Sequence, residues 1–392
     1  MMERNDKSIA KGKCKTMKLG QLASFINGYP FKPSEWKEKG IPIIRIQNLN
    51  NDQAPYNYYD EGLPSKYIIE SGDILISWSG SLGVFEWTKS KAYLNQHIFK
   101  VIFDKEEINK RFFQYAVESS LTEMSKHLHG ATMKHIVKRD FINLPIPVPP
   151  LPVQARIVDE LDCLQGILSK KRQQLAEYHS LAQAIFHQMF GDPVVNEKGW
   201  EVKRLGEVCT NKGIYGAASP SAPKEENRPR YIRITDIDDF GNLNDDYVVS
   251  ANKEDDQTYQ LETGDILFAR TGATVGKTYL YKGTTPQIYA GYLIKFSINL
   301  HIIDPTFLFY ITKSYSYKKW VSMQYNGVAQ PNINARKYSA LPIILPPLPL
   351  QQSFAARIAA IDSQRERLAA SIRELETLLA CRMETLLNCP QA

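Results

Sequence analysis

Pro149-Pro150-Leu151-Pro152 returns as Pro346-Pro347-Leu348-Pro349, 197 residues later, and each copy opens a long run of helical spacing. Proline is welcome in the first turn of a helix, where its missing N–H has no partner to lose. After Pro152, the residues Ile157, Leu161, Leu164, Leu168, Lys171, Leu175, Tyr178, Ala182, Ile185 and Met189 follow an unbroken 4-3-4-3 spacing. Gly191-Asp192-Pro193 then supplies a C-terminal glycine and a proline stop. In the second copy Phe354, Ile358, Ile361, Arg365, Leu368, Ile372, Leu375, Leu379, Arg382 and Leu386 keep the same spacing in the same register. This is the seven-residue period of a coiled coil, and two such seams in one chain are expected to pair with each other. The alternative is two amphipathic helices, each lying on its own domain, because Lys171, Arg365 and Arg382 interrupt the seams.

Working outward, the segments before the helices repeat as well. Ser71-Gly72-Asp73-Ile74-Leu75-Ile76 is echoed by Thr263-Gly264-Asp265-Ile266-Leu267-Phe268, and Leu144-Pro145-Ile146 by Leu341-Pro342-Ile343. Ile43-Ile44-Arg45-Ile46 resembles Tyr231-Ile232-Arg233-Ile234, and Gly80 and Gly83 have near-equivalents in Gly272 and Gly276. Short runs such as Ile41–Ile46, Asp73–Trp78 and His97–Phe103 read as strands, with helical patches at Ile108–Ser119 and Pro305–Lys313. The fold class expected is α+β, with two β-rich domains each followed by a long helix. The boundaries read as a basic tail at 1–17, a first domain at 18–150, a helix at 151–190, a linker at 191–199, a second domain at 200–348, a helix at 349–388 and a tail at 389–392.

Composition limits function. With 43% hydrophobic and 23% charged residues the chain reads as a soluble globular protein, and no stretch approaches a membrane span. The basic start, Met1 to Lys18, lacks the apolar core of a secretory signal. Five scattered cysteines without a C-x-x-C pair exclude the usual zinc spacings, argue against a disulfide framework and place the chain in a reducing cytoplasm. Charge is unevenly spread: twelve acids lie between Glu225 and Asp265, and then only Asp304 stands against ten Lys or Arg from Ile266 to Ile361. That basic stretch is interleaved with tyrosines, which suits a nucleic-acid surface or, equally, a sheet domain with one solvated basic face.

Catalytic motifs are missing. Arg270-Thr-Gly-Ala-Thr-Val-Gly-Lys-Thr278 imitates a phosphate loop, but Thr271 stands where its first glycine belongs. Both Pro-Pro pairs follow Val148 or Leu345, so no methyltransferase Asn/Asp-Pro-Pro-aromatic loop is present, and no nuclease carboxylate pattern is found. His127, His129 and His135 sit among Lys126, Lys134, Lys138 and Arg139 with no acid from Met124 to Arg139, which reads as a basic contact loop rather than a zinc site.

Two diverged domains, each with a Pro-Pro-Leu-Pro hinge and a long helix, resemble the specificity subunit of type I restriction–modification systems. The Gly-Asp-Ile-Leu … Arg-Thr-Gly-Ala-Thr-Val-Gly-Lys strand and loop and the Gly130-Ala-Thr-Met-Lys-His135 loop are similar to those of its target-recognition domains. The first copy departs at Trp78-Ser-Gly-Ser-Leu82, where Arg-Thr-Gly-Ala-Thr is usual. The resemblance implies a chain without catalysis, each domain reading one half of an asymmetric, split target in double-stranded DNA, with the two helices paired as an antiparallel coiled coil that holds the halves apart. It implies two methyltransferase subunits and outer restriction–translocation subunits as partners. S-adenosylmethionine, ATP and Mg2+ would then belong to those partners and no cofactor to this chain. Rival readings are a coiled-coil adaptor binding only proteins and a single-chain DNA-modifying enzyme with unfamiliar motifs.

Base readout is expected from Arg and amide side chains, which make bidentate pairs: Arg45, Gln47, Asn48, Arg233, Arg270, Gln330 and Asn332. Phosphate positioning suits Lys134, Lys138, Lys277 and Lys337. Ser79, Ser81, Thr132, Thr271, Thr274 and Arg336 complete the DNA-binding candidates on the same loops.

Overall fold

The computed structural model describes residues 14–51, 53–80, 82–127, 138–325 and 331–387. The chain divides into two compact units. One comprises residues 1–171 with 371–392, and the other residues 172–370.

In the first unit, strand Lys15–Lys18 pairs antiparallel with Pro145–Val148, so the start of the reader is tied to the segment before its helix. A four-stranded antiparallel sheet follows the order Ser24–Asn27, Ile98–Ile102, Ile74–Ser77, Gly83–Glu86. A second sheet has the order Asn57–Tyr59, Ile41–Ile44, Ala92–Leu94, Ile68–Ile69, and its Ile41–Ile44 and Ala92–Leu94 strands run parallel. Helix Lys110–His127 covers the first sheet, burying Phe112, Phe113 and Val117 against Ile76, Phe99 and Phe141.

The second unit repeats the plan. Glu201–Arg204 pairs with Pro342–Leu345, and a four-stranded sheet follows the order Ile214–Tyr215, Leu293–Phe296, Ile266–Ala269, Thr278–Leu280. Arg230–Ile232 and Gln287–Tyr289 supply the parallel pair. Asp304 caps helix Pro305–Ile311, its Oδ1 accepting from the N–H groups of Thr306 and Phe307 at 2.8 and 3.1 Å, with proline in the first turn.

The repeated Gly-Asp has a physical cause. Gly72 and Gly264 adopt φ of +92° and +95°, a turn that a side chain resists. The following aspartate then closes the turn: Asp73 Oδ2 accepts from the Glu70 N–H, and Asp265 Oδ2 from the Glu262 N–H, at 2.8 and 2.9 Å. Each aspartate also meets a lysine of the neighbouring strand, Lys100 and Lys295 respectively.

The two long helices span Leu151–Phe190 and Leu348–Leu387. In the first unit Ile157 and Leu161, near the start of the first helix, share a core with Leu379, Met383 and Leu387 at the end of the second. In the other unit Phe186 and Phe190, at the end of the first helix, pack on Phe354, at the start of the second. The helices therefore pair antiparallel. Among the seam residues, Ile157, Leu161, Leu168, Ile358, Ile361, Leu368 and Ile372 are buried, while Leu164, Leu175, Ile185, Leu375 and Leu379 are half-buried. Two of the charged interruptions are paired: Arg382 bonds Glu160 across the helices at 2.5 and 3.1 Å, and Arg365 meets Asp362 and His179. Gly191, at φ +78°, ends the first helix.

One expectation is corrected. Cys14 is disulfide-bonded, whereas Cys163, Cys209 and Cys381 are free. Among the described residues no helix is long and apolar enough to cross a membrane.

Candidate nucleic-acid interface

The loop after strand Ile266–Ala269 is built on its own backbone. The N–H groups of Val275, Gly276 and Lys277 donate to the carbonyls of Gly272, Ala269 and Thr274, and that of Gly272 donates to Pro331. These amides are therefore already satisfied and cannot cradle a phosphate, which agrees with the failed glycine spacing. Below the loop, Tyr338 Oη donates to the Ala269 carbonyl at 2.7 Å, and burial pushes this phenol far above its ordinary range.

This loop gathers several candidates into one cluster. Thr271 pairs with Asn332, and the Ile333 N–H donates to the Arg270 carbonyl at 2.8 Å. The Arg270 guanidinium lies 4.8 Å from the ring centre of Tyr215. Tyr215 Oη accepts from the Ala335 N–H at 3.1 Å. Tyr292, 61% exposed, accepts through its carbonyl from the Arg270 N–H. Asn332, Arg336 and Lys337 are exposed beside them, with Lys337 Nζ donating to the Gln324 carbonyl. Thr274 turns its hydroxyl onto the Thr271 carbonyl.

Arg233 and Lys277 stand apart from this cluster. Arg233 is clamped by Asp236 and Asp246, at 2.8 and 2.5 Å, and these carboxylates hold its guanidinium charged well beyond the usual range. Lys277 meets Asp239 at 3.1 Å and the Ile237 carbonyl. Both cations carry their own counter-charge. A cleft of about 580 Å³ in the same unit, bordered by His179, Arg230, Phe240, Lys282, Asp362 and Arg365, is likewise internally paired, through Lys282–Asp362 and Arg365–Asp362.

In the first unit Arg45 lies 4.9 Å from the Trp36 ring and donates to Asn57 Oδ1. Gln47 is exposed and donates to the Pro55 carbonyl. Asn48 is 2% exposed. Its Oδ1 accepts from the Arg45 N–H and its Nδ2 donates to the Ala54 and Pro55 carbonyls, so its amide holds a turn. Trp78, which occupies the place of Arg270, stacks on Phe99 beside half-buried Ser79. Lys138 Nζ donates to the Phe25 carbonyl and Asn27 Oδ1, at 2.8 and 3.1 Å. Ser81, Thr132, Lys134 and Gln330 lie outside the described residues, as do His129 and His135. Among the described residues no group of three or more His, Cys, Asp or Glu is placed to hold a metal ion.

Sequence reasoning passed over Tyr215, which lies in a two-residue strand with no periodic signal. Only strand-by-strand alignment of the two copies draws attention to it.

One reading unit built twice, with each copy attached to part of an antiparallel helix pair, defines a duplicated recognition scaffold. Residues 11–178 and 197–377 both match the family model for the type I restriction modification DNA specificity domain. The chain belongs to that family, the specificity subunits of type I restriction–modification systems, which supply DNA target recognition and not catalysis. It is 23% identical over 370 residues to the type I restriction enzyme EcoBI specificity subunit of Escherichia coli, covering 87% of this chain and 77% of that one. It is 26% identical over 353 residues to the MjaVIII specificity subunit of Methanocaldococcus jannaschii, covering 82% of each. The fold is similar to a crystal structure of the S subunit from M. genitalium, with a TM-score of 0.56, 15% identity and 97% of each chain covered.

Proposed function

We propose that this chain reads an asymmetric, two-part DNA target, one half through each reader, and carries the methyltransferase subunits that modify it. The observation that supports this most strongly is the duplication itself. The two readers share the strand order and register of their main sheet but present different side chains at matched places, as Trp78 and Arg270 do. The readers are residues 18–150 and 200–348, joined to helices 151–190 and 349–388 through the linker 191–199.

In the second reader the contact surface comprises Arg270, Thr271, Thr274, Asn332, Arg336 and Lys337, with Gln330 beside them in sequence. Arg233 and Lys277, each already facing a carboxylate, shape the surface rather than neutralise phosphates. In the first reader Arg45, Gln47, Ser79, Ser81, Thr132, Lys134 and Lys138 are the contact candidates. Two methyltransferase subunits, using S-adenosylmethionine, and restriction–translocation subunits, using ATP and Mg2+, complete the cytoplasmic complex. The test is duplex DNA binding by the chain assembled with its methyltransferase partner, measured at two salt concentrations. Affinity that falls steeply with salt supports the reading, and no binding at either salt would remove it.

A further inference from the structure

The shared register of the two main sheets fixes which residues correspond. Asn27 lies opposite Phe99 as Tyr215 lies opposite Ile294, and Ile76 lies opposite Phe99 as Phe268 lies opposite Ile294. Asn27 therefore matches Tyr215, and Trp78 matches Arg270. Lys138 and Ala335 each begin a five-residue helix. In both readers the strand residue is tied to the first residue of that helix, Asn27 to Lys138 and Tyr215 to Ala335, each at 3.1 Å.

In the second reader this tie holds an arginine. The ring of Tyr215 lies 4.8 Å from the Arg270 guanidinium, and Tyr215 Oη is fixed by the Ala335 N–H. Arg270 Nε is buried without a hydrogen-bond partner among the described residues. Among the described residues its side chain makes no hydrogen bond or ion pair, whereas Arg228, Arg230 and Arg233 of the same reader are bonded to carboxylates or carbonyls. A buried donor left unpaired is costly and calls for an explanation, and a partner supplied by a ligand is one. A phosphate needs only a point charge. A guanidinium plane held by a ring suits two coplanar acceptors, and among bases the guanine edge offers O6 and N7 in that arrangement.

We infer that Arg270 reads a guanine in the half-site of the second reader, and that Tyr215 is the positioning residue that fixes the plane of its guanidinium. The inference rests on the reading of the chain as a two-part DNA reader. The test uses the chain assembled with its methyltransferase partner, methylation mapping, and duplexes carrying 7-deazaguanine, which lacks N7. Arg270→Lys keeps the charge and loses the fork. It relaxes one guanine position on the order of tenfold or more and leaves the salt dependence of binding unchanged. Tyr215→Leu relaxes the same position, and Tyr215→Phe, which keeps the ring, retains the preference. Wild type discriminates against 7-deazaguanine at that position and Arg270→Lys does not. Thermal melting of each variant confirms that it is folded.

An unchanged target in folded Arg270→Lys and Tyr215→Leu, or relaxation spread over both half-sites, overturns the inference. Exchanging residues 200–348 for another reader separates the two levels. If that exchange alters one half-site while the point variants alter nothing, the guanine contact fails and the two-part reading stands. If the exchange alters neither half-site, the reading itself fails.

Discussion

Gln351, fully buried in the first turn of the second long helix, accepts a hydrogen bond at 2.9 Å from the backbone N–H of Asp304. Its Nε2 donates to the Pro346 carbonyl at 2.7 Å. The same device stands 197 residues earlier, where Gln154 accepts from the Asn109 N–H at 2.9 Å and donates to the Pro149 carbonyl at 2.8 Å. Each glutamine binds a reader to the helix that follows it. Gln351→Ala leaves a donor and an acceptor buried without partners, a loss of about 1–3 kcal/mol. The expected outcome is a lower denaturation midpoint with the DNA target unchanged. A midpoint equal to wild type would show that the hinge is held elsewhere.

His179 gives the paired helices a pH dependence. Its Nδ1 donates to the Leu175 carbonyl at 3.0 Å, so Nε2 accepts from Arg365 Nη2 at 2.5 Å. Burial, followed by the Arg365 charge, lowers its pKa below the ordinary 6.5, and Asp238 and Asp362 oppose the shift without reversing it. The unfolded chain therefore binds this proton more readily than the folded one. The stability contributed by His179 is complete above about pH 6.5 and is lost as pH falls from there through the folded pKa. Melting temperatures from pH 7.5 to 5 should fall more for wild type than for His179→Gln. Parallel curves would place the titration elsewhere.

Salt dependence separates cations facing DNA from cations already paired. Lys337 donates to a neutral carbonyl and Arg336 is exposed, so replacing either with Ala should lower the slope of log affinity on log salt by about 0.9. Lys277, 3.1 Å from Asp239, should change it by much less when replaced. A full loss of slope in Lys277→Ala would mean that DNA displaces Asp239.

The helices and the duplication were legible because their signals are periodic. Two matching seams, Ile157 to Met189 and Phe354 to Leu386, and a recurring Pro-Pro-Leu-Pro need no knowledge of distant contacts. Strand order was not legible: nothing local in Ile41–Ile44 announces that it runs parallel to Ala92–Leu94. The site was legible in its loop and blurred in its side chains. Asn48 and Arg270 look alike in sequence as polar residues next to a strand, yet one closes a turn and the other keeps its Nε buried without a hydrogen-bond partner among the described residues. Tyr215 contributes through a ring and a hydroxyl that reach residues 55 and 120 positions away, so no spacing rule finds it.

The central claim is that two independent readers divide one target. It is tested by replacing residues 18–149 with the matching reader of another family member, assembling the folded chimera with the methyltransferase partner and mapping the methylated DNA. A target in which one half changes and the other keeps its sequence is the predicted result. A target changed in both halves, or in neither, would contradict the claim.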